Sequence, residues 1–184
     1  MLKTLFAAFL ALFAFHFGLA QEAPVSVTAE DLVGTWKLDE KLDRERLEEI
    51  SGQPMPFPPS VKVTFEITGE QIVRADGTAS HKSLRRTTIE APQVNQVLAF
   101  EVQEDATWEL QGNTIVSTTV SSEAKPANEL ARQQIAAQPK ALDQIKPEIG
   151  RESKRTILSF DGDTLRVRAQ MEDGTQLVYS LKRQ

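Results

Sequence analysis

Lys82, Arg85 and Arg86 stand close together in a stretch that alternates like a strand, and a guanidinium inside a fold can hold a carboxylate through paired hydrogen bonds. Alternation puts His81, Ser83, Arg85, Thr87 and Ile89 on one face and Lys82, Leu84, Arg86, Thr88 and Glu90 on the other, so either Arg85 or Arg86 can point inward. An inward cation in an apolar interior is costly unless it meets an anion, which makes Arg85 the candidate anchor for a ligand carboxylate. The competing reading is a basic outward strand that balances an acidic chain. Other residue types offer less. There is no cysteine, and only one histidine, His81, lies beyond the N-terminal segment, so the usual zinc site and a Ser-His-acid arrangement both lack parts. His81 reads as a solvated residue at a strand start. Asp161-Gly162-Asp163 reads as a turn rather than a calcium loop, because Leu165 and Val167 stand where further oxygen ligands would be needed. The pairs Glu48 and Glu49, and Glu101 and Glu104, read as charged surface. No metal, no cofactor and no reaction is expected from these residues.

The elements that must position Arg85 are strands. Val61, Val63, Phe65 and Ile67 alternate with Lys62, Thr64, Glu66 and Thr68, as in a half-buried strand. A strand, a glycine among polar residues and a second strand then recur around Gly69, Gly112 and Gly162, with further turn signals at Asp76-Gly77 and Asp173-Gly174. Strands this close leave no room for helical crossovers, so the sheet is expected to be antiparallel. The fold class that follows is mainly β, an up-and-down barrel of about eight to ten strands. The expected spans are Gly34–Asp39, Ser60–Thr68, Gln71–Ala75, Lys82–Ala91, Gln96–Gln103, Thr107–Gln111, Thr114–Ser121, Lys154–Phe160, Thr164–Met171 and Thr175–Lys182. A helical turn capped by Thr28 precedes them. A helical insertion over Leu42 to Ile50, with Asp43 as its cap, follows the first strand and leads into the extended Gln53–Pro59. A second helical insertion, Pro126 to Ile149, is cut by Pro139 and Pro147 and reads as a lid or a mobile loop.

Residues 1–20 have a single basic residue, Lys3, an apolar run from Leu5 to Phe17 broken by His16, and the small-residue ending Gly18-Leu19-Ala20. That is the build of a secretory signal peptide cleaved after Ala20, and the run is shorter than the roughly 20 residues that span a bilayer. A periplasmic or secreted location is expected, with residues 21–184 as a single domain and no transmembrane anchor after cleavage. With 26 acidic against 21 basic residues and a net charge of −5, nucleic-acid binding is not expected.

Leu32-Val33-Gly34-Thr35-Trp36-Lys37-Leu38, placed after a helical turn at the start of a β meander, resembles the Gly-x-Trp opening of lipocalins and the wider calycin superfamily. The resemblance implies structural roles for Gly34 and Trp36, with Trp36 lying across the closed end of the barrel and Lys182 or Arg183 packing on it as the cation. The helical insertion after the first strand and the ending Asp173-Gly174-Thr175-Gln176-Leu177-Val178-Tyr179 are similar to small bacterial lipocalin-like domains and to fatty-acid-binding proteins. In the latter an Arg-x-Tyr in the last strand holds a carboxylate. Leu177 stands where that arginine would be, so only Tyr179 carries over. The expected function is an exported binding protein that holds a small hydrophobic or lipid-like ligand, with Phe65, Arg85, Phe100 and Tyr179 on the walls and Met55 and Phe57 at the mouth. The alternatives are a non-enzymatic envelope interaction module with a filled core, and a calycin-type lyase or isomerase. Inward faces carrying Val63, Phe65, Leu98, Phe100, Leu165, Val167, Leu177 and Tyr179 predict an apolar interior, the reverse of an outer-membrane barrel.

Overall fold

The computed structural model describes residues 25–170 and 176–184. The expected signal segment and the expected turn around Asp173-Gly174 lie outside them. Eight strands, β1 (Gly34–Asp43), β2 (Lys62–Val73), β3 (Thr78–Ala91), β4 (Val94–Gln111), β5 (Thr114–Pro126), β6 (Glu152–Phe160), β7 (Thr164–Gln170) and β8 (Gln176–Arg183), form a closed barrel in sequence order. Every neighbouring pair is antiparallel, including β8 with β1. This up-and-down barrel is compatible with a calycin-like fold.

The count is eight because two expected breaks are not breaks. Gly69, read above as a hairpin turn, sits in the middle of β2, opposite Leu38 of β1 and Ser83 of β3. A strand glycine marks either a bulge or a close approach of another backbone. Here it is the approach: a Cβ on Gly69 would lie 2.3 Å from the Lys82 carbonyl oxygen and 2.8 Å from Ser83 Cα. Likewise β4 continues unbroken past Gln103, and the irregularity falls on β5, where the register with β4 shifts between Asp105 and Ala106 and skips Val120.

The two ends of the barrel differ. At one end the helical turn α1 (Ala29–Leu32) is fixed by a capping box in which Thr28 and Asp31 satisfy each other's backbone N–H groups. It lays Leu32 into an apolar plug with Trp36, Val73, Ile115, Ile157, Leu165, Val167 and Leu181. Trp36 is 1% exposed; its Nε1 donates to Leu32 O at 2.8 Å and its ring meets Phe160 edge-on at 6.3 Å. The Arg183 guanidinium carbon lies 4.4 Å from the centroid of the Trp36 ring. That guanidinium also donates to Val33 O at 2.9 Å, to Gly162 O at 2.9 Å and to Asp31 O, tying the helical turn, the β6–β7 turn and the last strand together. Gly34, at φ +142°, leaves the space: a Cβ there would be 2.8 Å from Arg183 Nη1. Lys182, the other cation considered for Trp36, is exposed.

The helical insertions lie at the opposite end. Helix α2 (Arg44–Ser51) starts where the Asp43 carboxylate accepts from Arg46 N, and it stops at Gly52 in the left-handed conformation. Between β5 and β6 run α3 (Glu129–Ala137), capped by Asn128, and α4 (Ala141–Ile145). Asn128 also donates to Val97 O at 2.6 Å, and Ser122 donates to Pro147 O at 2.5 Å, so both ends of this segment are tied to the barrel rim. No helix among the described residues is long and apolar enough to cross a membrane.

Candidate functional site

Above the plug the barrel holds a cavity of about 660 Å³ that opens to solvent. Its lining is sorted by strand. Leu38 and Leu42 of β1, Ala169 of β7, and Leu177, Tyr179 and Leu181 of β8 make a mainly apolar wall, interrupted by Glu40 of β1 and Gln170 of β7 and continued by Ile67 of β2. Facing it are Gln71 of β2, His81 and Arg85 of β3, Glu104 of β4, Ser117 and Thr119 of β5, and Ser153 and Arg155 of β6. The sequence-based expectation of an apolar interior therefore holds for the plug and for the β7–β8–β1 side of the cavity, and fails on the β2–β6 side. Above it, the same period-two alternation delivers polar side chains inward from five consecutive strands. Ile145, Lys146 and Pro147 of the second insertion complete the lining near the mouth.

The charges are unevenly partnered. Arg155 Nη1 donates to Gln71 Oε1 at 3.1 Å and its Nη2 to Ser117 Oγ at 3.4 Å; Ser117 and Ser153 share a hydrogen bond of 2.8 Å. Arg85 Nη1 donates to Ile145 O at 2.9 Å, so a cation of the wall holds the second insertion by its backbone. Glu104 is engaged by Thr119 Oγ1 at 2.6 Å, and Glu40 accepts from Ser180 N at 3.0 Å. Among the described residues neither Arg85 nor Arg155 has a carboxylate within salt-bridge distance. The Nε atoms of both, and Ser83 Oγ two positions before Arg85 on β3, are buried without a hydrogen-bond partner among the described residues. Arg85, Lys146, Arg151, Lys154 and Arg155 against Glu40, Glu104 and Glu152 make the lining positive, inside a chain whose net charge is −5.

His81, read above as a solvated residue at a strand start, faces this cavity instead, because β3 begins at Thr78 and already has Ala79 buried. Burial, and then the positive charges of Arg85 and Arg155, lower its pKa from 6.5 to about 4. Burial also pushes Arg85 down, against the opposing pull of Glu104. His81 is thus neutral at pH 7 in the folded protein, and the unfolded chain takes up the proton first as pH falls. The fold loses stability through His81 between about pH 6.5 and pH 4. His81→Gln is expected to remove roughly 2–3 kcal/mol of that acid loss by pH 4 and to change nothing from this source at pH 8. Urea unfolding of both proteins across that range checks it, and parallel pH profiles would contradict it.

Of the residues named from sequence, Arg85 and Tyr179 lie in the cavity wall. Phe65, half-buried, and Phe100, 9% exposed, stand farther along β2 and β4, opposite Leu42 and Arg85 respectively, and are not among its lining residues. Met55 and Phe57 are half-buried in the segment before β2 and also lie outside the lining. That segment is pinned to α2: Glu48 accepts from Met55 N at 2.9 Å, and Arg44 donates to Phe57 O at 2.7 Å and to Pro58 O at 2.6 Å. Glu104, read above as charged surface, faces the interior because its inward register follows from buried Val102 two residues earlier. Gln71, Ser117 and Arg155 went unnamed. The signal for Arg155 is its spacing of two from Ile157, which is 1% exposed.

No family model matches the chain, and no curated protein matches it.

Proposed function

We propose that this barrel is an exported binding protein that holds a small lipid-like molecule in its cavity. The apolar body lies against β7, β8 and β1, and the polar end meets the β2–β6 wall. The observation that carries this reading is the sorted cavity itself. At about 660 Å³ it exceeds the roughly 300 Å³ at which small-molecule sites begin, and it combines an apolar surface with a few convergent polar groups. A filled core would instead have favoured an interaction module. Export rests on the residue pattern of positions 1–20. Tyr179, on the mainly apolar wall, can offer its hydroxyl to the ligand, and the segment carrying α3 and α4 serves as the lid that controls entry.

Purified protein is expected to raise the fluorescence of the neutral apolar dye Nile red, and a long-chain lipid is expected to displace it. Native mass spectrometry of protein taken from its own host should show a retained mass of lipid size. Folded protein that emerges empty and binds neither dye nor lipid would remove the carrier reading and leave the interaction module in its place.

A further inference from the structure

Resting on that carrier reading, we propose that the cavity has a second way in: the open seam between β1 and β8 is a side portal through which an elongated ligand slides into the barrel and out of it.

At this junction two intact strands run side by side with most of their ladder missing. Among the described residues β1 is paired with β2 as far as Asp43, and β8 with β7 from Gln176, yet β1 and β8 pair only from Trp36 with Arg183 to Leu38 with Leu181. Asp39–Asp43 and Gln176–Ser180 are left on either side of the seam without a ladder between them. Five strand residues run roughly 17 Å, so the opening is long and upright. Among the described residues the hydrogen bond that crosses it runs from Ser180 N to the Glu40 carboxylate at 3.0 Å, a side chain standing where a ladder carbonyl would be. Even the short ladder below is weakened. Its middle pair sets Lys37 opposite Lys182, both exposed, and like charges directly opposite are destabilising. The other short ladder, β5 with β6, differs. It continues from Thr119 N to Arg151 O and from Gly150 N to Thr119 O, and beyond it Ser122 holds Pro147 of the second insertion.

The groups around the gap suit a passing ligand better than an added strand. Glu40 is an inward-facing carboxylate at an open edge, a placement that deters strand pairing because the charge would be buried in the new sheet. Leu38, Leu42, Leu177, Tyr179 and Leu181 line the cavity on both sides of the seam. A lipid-like body entering sideways therefore meets the apolar wall along its length and does not cross the polar wall first. The mouth is the more fastened route. The insertion beside it is tied by Arg85 to Ile145 O, by Ser122 to Pro147 O and by Asn128 to Val97 O, and lifting it breaks these bonds. Parting the seam breaks one hydrogen bond and no ladder, so ligand exchange proceeds there while the lid stays shut.

The chain has no cysteine, so a disulfide can be placed across the seam without competing thiols. Lys41 and Val178 come opposite one another when the register of the three pairs is continued, and neither lines the cavity. Nile red uptake and release by Lys41→Cys/Val178→Cys are followed by stopped flow. Oxidation should slow both rates about ten-fold or more, leave Kd within about two-fold, and be reversed by dithiothreitol. Asp39→Cys/Ser180→Cys, one step from the ladder, serves if the first disulfide does not form. Glu40→Ala, which removes the crossing contact, should speed both rates about three-fold or more. Ser122→Cys/Pro147→Cys ties the lid to the rim, and its oxidised form should exchange dye faster than the seam-tied protein. Melting verifies folding of each variant. A seam disulfide or a Glu40→Ala change that leaves both rates untouched, or lid-tied protein that exchanges more slowly than seam-tied protein, overturns the portal and leaves the carrier reading standing. Wild-type protein that binds neither this dye nor a long-chain lipid removes the carrier reading and this proposal with it.

Discussion

Trp36→Ala is expected to lower the unfolding free energy by about 3–5 kcal/mol, the range for losing a large buried aromatic side chain. Three separate losses act in the same direction. The ring, 1% exposed, leaves a void in the plug that Phe160 and the surrounding aliphatic side chains can fill only partly. The Leu32 carbonyl loses the indole N–H that it accepts at 2.8 Å. The Arg183 guanidinium, 4.4 Å from the ring centroid, is left against an empty space. Trp36→Phe separates these contributions, because it keeps most of the packing and the face under the cation but not the hydrogen bond; about 1–2 kcal/mol is expected for it. Urea denaturation of the three proteins gives the comparison, and an unchanged midpoint for Trp36→Ala would remove Trp36 as the centre of the plug.

Gly69→Val is expected to cost at least about 3 kcal/mol, the upper range for overpacking, because the obstacle is backbone rather than a side chain that can swing aside. The added Cβ would meet the Lys82 carbonyl oxygen at 2.3 Å, so β2 and β3 must separate locally and lose ladder hydrogen bonds. Thr68→Val, one position along and exposed, supplies the control, since valine suits a strand and has open space there. Thermal melts of the two variants should therefore diverge widely. Equal melting temperatures would mean that the strands can spread at little cost, against the close approach described for this pair.

Gly69 also marks where sequence reasoning and structure part. A glycine flanked by Thr68 and Glu70 has the local chemistry of a turn, and the hairpins at Gly112 and Gly162 follow that rule. At Gly69 the demand comes from a neighbouring strand, which local sequence does not reveal. The barrel, its antiparallel order and its helical insertions were legible because alternation, turn glycines and caps are local signals. The plug was legible in part through Gly34 and Trp36, and the choice of Arg183 over Lys182 was not, because adjacent residues on a strand differ only by the face they take. The polar wall was the least legible. His81 and Glu104 each look like surface residues when read alone, and they converge only because β3 and β4 place them opposite one another in register. Arg85 was identified from the cost of an inward charge, but its contact with the second insertion spans 60 positions and has no local trace.

The closure of the barrel bears on the order in which it folds. β1 and β2 pair over ten residues, from Gly34 with Val73 to Asp43 with Thr64, whereas β1 and β8 pair over three, Trp36 with Arg183 to Leu38 with Leu181. Hairpin pairs between successive strands close short loops and form early. The β1–β8 seam joins residues as far apart as Val33 and Arg183, 150 positions, and brings little ladder of its own to offset that entropy. The meander from β1 to β8 is therefore expected to assemble first as an open, curled sheet, with docking of Arg183 beneath Trp36 as the late step that turns the sheet into a vessel.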